Sequence, residues 1–296
     1  MRVKQVRIAT LLMTAGVVAA VMGAAPAPQK TVTVNIKCGQ TKSIENQLKE
    51  SNSRKGGKTT LVLNPDHQAT CVYPLKTVSK KLPSVQQDVT IEGNGAVLQV
   101  TVTRSAMLAS IFTVQRGHFT LNNFTVAAHL PAALAGKLLH GGITNTEGTL
   151  ILNNSSITGF PSDGIRATGS GVTELRGRSD VSHNGTGIYN GGRLDLYDDT
   201  SIHSNSQRGA FNEGTMTLHN RSAVRDNIST NSQGGGIFNW YRLTATDQST
   251  ISGNKPHNVY DQHRQHGPGG YFHPCADNSG GGNNAAANPE ACPKPA

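Results

Sequence analysis

Aromatic residues make up only 5% of this 296-residue chain, and hydrophobic residues of all kinds only 35%. That is too little for a compact helical protein of this length. A disordered chain, in turn, would not carry Val, Ile and Leu in regular alternation. Beyond the first residues there is no second apolar run long enough to span a bilayer. The four cysteines show no Cys-x-x-Cys spacing and no His-Asn context, which argues against catalytic thiols. A nucleophile elbow, a phosphate-binding glycine loop and an HExxH stretch are also missing. What fills the chain instead is Gly (33 residues), Asn, Ser and Thr, the composition of many short strands joined by tight turns.

Residues 1–27 read as a secretory signal. Arg2, Lys4 and Arg7 form a basic start, Ile8 to Met22 an apolar segment, and small residues with prolines follow. The expectation is a secreted or cell-surface protein with no membrane span after cleavage. Without the signal the formal charge falls from +9 to +6, with 24 Lys and Arg against 18 Asp and Glu. These cations are scattered, which excludes a nucleic-acid partner; they suit solubility, or attraction to acidic polysaccharides or anionic envelope polymers. In an exported chain the cysteines read as disulfides. Cys38–Cys71 with Cys275–Cys292 is the simplest of the three connectivities, each bridge stapling one terminal region.

A repeat runs through the middle of the chain. Gly187 to Asn190 reads "GIYN", and it returns as "GAFN" at Gly209 and "GIFN" at Gly236. The residues after the recurring glycine, Ile143, Ile165, Ile188, Ala210, Ile237 and Val259, are separated by 22, 23, 22, 27 and 22. A second series, Ile157, Val181, Ile202, Val224 and Ile251, keeps the same beat. Between them fall pairs spaced by two, such as Leu150 with Leu152 and Leu194 with Leu196, whose side chains share one face of a strand. Three short strands per period, stacked because no unit can bury its apolar face alone, predict an all-β fold, a single-stranded right-handed parallel β-helix of the pectate-lyase-like kind. Asn145, Asn190, Asn212 and Asn239 then fall in one column, interrupted by Ala167, and Asn184, Asn205, Asn227 and Asn254 in another. Such columns are amide ladders.

The organisation that follows is residues 28–87 as an N-terminal cap, 88–261 as β-helix rungs, and 262–296 as an irregular Gly/Asn/Pro-rich tail. The cap holds a helix over Ser43 to Ser51, a strand over Thr60 to Leu63 and the Cys38–Cys71 bridge; Asp88 to Leu98 reads as the first well-formed rung. His257, His263, His266 and His273 match no standard zinc spacing.

The "CG…C-Y" cap, "VTIEGNGA", and rungs such as Gly187 to Asn205 and Gly235 to Asn254 resemble a family of exported bacterial proteins common in actinomycetes. The repeats are also similar to those of chlamydial polymorphic outer-membrane proteins, through "GGxI" and "FN". Covering about Cys38 to Asp261, the resemblance implies the fold and export and leaves activity open.

Two outward columns are the candidate sites. If Ile188 and Asn190 face inward, then Tyr189, Phe211, Phe238 and Tyr260 face outward below Arg166, as a platform for sugar rings or a surface covered by other groups. On the middle strand, Glu174 and Asp195 are rung neighbours, flanked by Arg176 and Arg193. Two functions are therefore expected. The first is a monomeric binding or scaffold protein that recognises carbohydrate or envelope polymer and needs no cofactor. The alternative, by analogy with β-helix polysaccharide lyases, has Glu174 and Asp195 holding Ca²⁺ and Arg176 or Arg193 acting as base; an ordinary ion-pair ladder explains the same four residues.

Overall fold

The computed structural model describes residues 30–54, 56–77, 82–102, 110–129, 141–230, 234–261 and 272–274. The leader, Cys275, Cys292, His263 and His266 lie outside the described residues. The chain coils as a right-handed parallel β-helix with three stacks of short strands.

The first stack is a seven-stranded parallel sheet: Phe112–Val114, Ile143–Asn145, Asp163–Ala167, Thr186–Asn190, Arg208–Asn212, Ile237–Asn239 and Val259–Asp261. The second contains Thr149–Asn153, Val172–Arg176, Arg193–Leu196, Thr215–Leu218 and Arg242–Ala245, and the third Ser156–Thr158, Asp180–Ser182, Ser201–His203, Ala223–Arg225 and Thr250–Ser252. The bent strand His118–His129 pairs with both and joins them into one sheet.

Each periodic series in the sequence is a column of in-register partners. Ile143, Ile165, Ile188, Ala210, Ile237 and Val259 align across the first stack. Ile157, Val181, Ile202, Val224 and Ile251 align across the third. Leu150, Leu194, Met216 and Leu243 fill the second, all fully buried. A buried aliphatic side chain contributes roughly 2 kcal/mol, so the core is a sum of modest rung-to-rung terms rather than one centre. The long 27-residue spacing is absorbed at the corner between the third and first stacks, where Ile228 is exposed.

The asparagine columns are hydrogen-bonded ladders inside the coil. Asn190 donates its amide to Asn212 and Asn212 to Asn239, both at 2.7 Å. At the other corner Asn205 donates to Asn227 at 2.8 Å and Asn227 to Asn254 at 2.9 Å. Where Ala167 breaks the first column, Asn145 keeps the carbonyl bond that Asn190 and Asn212 also make, here to Val172 at 2.8 Å, and the Thr173 hydroxyl at 3.4 Å stands in for the missing amide.

Gly187, in contrast, does not serve as a turn residue with left-handed backbone. A Cβ there would point into the coil, 2.5 Å from the carbonyl oxygen of Gly209 and 2.6 Å from Ile202 Cγ2. The recurring glycine is an absence of side chain required by packing.

The ladder starts before the rung expected at Asp88. Thr31–Ile36 pairs in parallel with Lys58–Leu63, which pairs with Asp88–Val102. The helix runs over Thr41–Ser53 and buries Ile44 and Leu48, packing against these first strands. Tyr73 locks the region from within: its hydroxyl donates to the carbonyl of Ile36 at 2.6 Å and accepts from the amide of Asn64 at 2.9 Å. Cys38 and Cys71 are bridged. No helix among the described residues is long and apolar enough to cross a membrane.

Candidate ligand-binding face

The alternation that turns Ile188 and Asn190 inward sends Tyr189 out. Parallel register then sets Arg166, Tyr189, Phe211, Phe238 and Tyr260 one above another on the first stack. The rings stack face to face, with centroids 5.3 Å (Tyr189–Phe211), 5.1 Å (Phe211–Phe238) and 5.2 Å (Phe238–Tyr260) apart and interplanar angles of 8°, 4° and 22°. The Arg166 guanidinium lies 4.3 Å over Tyr189 and is held by Asp163 at 2.6 Å. Each inner ring therefore spends both faces on its neighbours, and only ring edges look outward.

Sequence reasoning missed several groups that complete this face. Arg208 lies at the head of its strand, opposite Thr186 of the preceding rung. Its guanidinium carbon sits 5.0 Å over Phe211 and 5.2 Å over Phe238, and burial pushes its pKa below the ordinary range. The Tyr189 hydroxyl donates to the carboxylate of Glu213; burial first, then that carboxylate, pushes its pKa up to about 12. Phe238, with Arg208 on one side and Trp240 at 6.1 Å, keeps only 4% of its surface.

The turn that follows carries the exposed aromatics. Trp240 is 42% and Tyr241 55% exposed. Aligned rungs place Gly191 and Gly192, then Glu213 and Gly214, where Trp240 and Tyr241 stand. Writing "YNGGR", "FNEGT" and "FNWYR" one under another would have revealed this substitution of aromatics for glycine. The backbone is pinned: the Trp240 amide donates to the carbonyl of Asn212 at 2.7 Å, and the Asn212 side chain to that of Arg242 at 2.9 Å.

On the second stack Glu174 and Asp195 are direct register partners, as their spacing predicts. Each is taken by an arginine of its own strand: Arg176 reaches Glu174 at 2.7 Å and Arg193 reaches Asp195 at 2.6 Å. Asp195, 3% exposed at its side chain, also meets His219 at 3.4 Å. These hydrogen bonds raise the pKa of both arginines. Tyr197 and His219 stack beside them at 4.5 Å. Among the described residues no three His, Cys, Asp or Glu side chains group as metal ligands. A polar cleft lined by Gln86, Gln115, Arg116, Thr146 and Glu147 lies toward the N-terminal end.

Comparison with protein-family models, curated proteins and solved structures finds no match to this chain.

Proposed function

We infer that this is an exported, monomeric binding or scaffold protein, secreted or held at the cell surface, that recognises carbohydrate or an envelope polymer through the outward face of its first stack. The fold is that of β-helix scaffolds on which carbohydrate interactions are often built, and export is read from the leader.

One observation favours binding over the lyase alternative: both arginine–carboxylate pairs are closed. For Glu174 and Asp195 to hold Ca²⁺, Arg176 and Arg193 would have to leave them, at 2.7 and 2.6 Å. As a base, either arginine would need to lose a proton that its partner carboxylate stabilises.

The test incubates the purified protein with a panel of acidic polysaccharides, with and without Ca²⁺. Retention on immobilised polymer is expected, with no rise in absorbance from unsaturated uronate products. Chelator-sensitive product that is lost in Glu174→Ala or Asp195→Ala would overturn the binding-only reading.

A further inference from the structure

Seven of the ten described arginines pair with a carboxylate: Arg54, Arg116, Arg166, Arg176, Arg193, Arg221 and Arg225. Arg178, Arg208 and Arg242 have no carboxylate within ion-pair distance among the described residues. Arg178 stands exposed in the turn after Val172–Arg176. Arg242 borders the Trp240–Tyr241 turn, whereas Arg208 heads the preceding strand, Arg208–Asn212, whose other end is the one in register with the turn, and it approaches the turn only through a shared ring. Arg208 and Trp240 contact the same ring, Phe238, at 5.2 and 6.1 Å, and Arg242 follows Tyr241 directly with its side chain exposed. The nearest acid along the turn column, Glu213, already accepts the Tyr189 hydroxyl.

We propose that Trp240 and Tyr241, with Arg208 and Arg242, form the contact for a uronate-bearing glycan. An exposed indole offers a flat face for the C–H side of a sugar ring, and guanidinium forks with no carboxylate at ion-pair distance among the described residues match a ligand carboxylate. The stacked column beneath, its ring faces already occupied, acts as a rigid support for the turn rather than as the platform itself. This inference rests on the glycan-binding reading above and names its site and charge.

Trp240 is the single tryptophan of the chain, so its emission reports on this turn alone. The experiment titrates the full chain with oligogalacturonate, with its methyl ester (ringed but uncharged) and with poly(glycerol phosphate) (charged but ringless). A saturable change in Trp240 emission is expected with oligogalacturonate, and binding about tenfold or more weaker for the other two. Arg208→Gln and Arg242→Gln should each weaken oligogalacturonate binding about tenfold, the loss of one charge-assisted hydrogen bond, and Arg178→Gln should leave it unchanged. Trp240→Ala, followed by calorimetry, should remove most of the affinity. Retention on acidic polymer with unchanged emission, and unaltered by Arg208→Gln with Arg242→Gln, would overturn this site while leaving the glycan-binding reading standing. Equal affinity for acid and ester would overturn the uronate assignment. Failure of the unaltered protein to bind any acidic or neutral glycan would overturn both.

Discussion

Asn190 donates its side-chain amide to Asn212 at 2.7 Å, one rung on and wholly buried. Asn212 passes the same bond to Asn239 and also caps the carbonyl of Arg242. A residue in the middle of such a run satisfies groups on both sides. Asn212→Ala should therefore cost about 2–3 kcal/mol, because it loses hydrogen bonds and leaves buried polar partners unpaired. At the native break, Ala167, the Thr173 hydroxyl stands 3.4 Å from the Asn145 amide in place of the missing acceptor; on the rung of Asn212 the corresponding position is Met216, which offers no such oxygen. Urea unfolding of the full chain should show a lower midpoint with an unchanged m-value.

Gly187 is predicted to be the least replaceable residue of its motif. An added methyl meets the Gly209 oxygen at 2.5 Å and Ile202 Cγ2 at 2.6 Å, contacts that only a backbone shift relieves. Gly187→Ala should destabilise by about 3 kcal/mol. Gly95→Ala, in open space but at φ +78°, should cost only ~1 kcal/mol through backbone strain. Thermal unfolding of the two variants would reverse that order if the recurring glycine were needed for its dihedral freedom.

The columns were legible because β-helix stacking writes each interior position as a repeated letter. Ile188, Leu194 and Ile202 announce themselves by spacing, as do the ladder asparagines. Less legible were positions at which different residues serve one purpose. Ser155, Ser179, Thr200, Ser222 and Ser249 form a buried hydroxyl column. Each stands two positions before a residue of the series Ile157, Val181, Ile202, Val224 and Ile251, and the column varies between Ser and Thr where that series keeps to branched apolar residues. Asn154, Gly177, Asp198, Asn220 and Asp247 share a left-handed turn conformation, a requirement met by three residue types and so hidden from a search for identity. Trp240 escaped for the opposite reason: it breaks the repeat, and no period points to an exception. The direction of ring faces was beyond reach, since alternation decides in or out and not whether outward rings lie on one another.

Removing Arg193 should separate an ion-pair ladder from a catalytic pair. Asp195 is nearly buried and aligned with Glu174, so Arg193→Ala leaves a carboxylate in a poor environment. Its pairing is partly exposed on the arginine side, which limits the expected loss to about 1–2 kcal/mol. Adding Asp195→Asn should restore much of it, since the neutral amide needs no cation. A double-mutant cycle by urea denaturation measures this coupling, and additive losses would exclude the pairing as the residues' role.

Acid should weaken the N-terminal helix. Hydrogen bonds from Lys42 and Lys49 hold the Glu45 pKa down to about 2, against an unfolded value near 4.5. A depressed carboxylate adds stability above its unfolded pKa, and this contribution disappears as pH falls from about 4.5 toward 2. Glu45→Gln should flatten that part of the stability profile and leave the region above pH ~5 displaced but parallel. Far-UV circular dichroism across the same range, compared between the two proteins, reads the helix directly.

Phe211 decides what the stacked column is for. Its two faces rest on Tyr189 and Phe238 at 5.3 and 5.1 Å, with Arg208 at 5.0 Å. Truncation removes all of these contacts together. Phe211→Ala is expected to cost about 2–3 kcal/mol, with cooperative unfolding retained. The coupling between Phe211→Ala and Phe238→Ala should be near 1 kcal/mol. Trp240→Ala, at a site 42% exposed, should move stability by less than ~1 kcal/mol. These two substitutions thus separate support from contact: the first lowers the melting temperature and the second lowers glycan retention. The reverse pattern, with Phe211→Ala stable but unable to bind, would make the column itself the sugar platform and require its rings to unstack when ligand arrives.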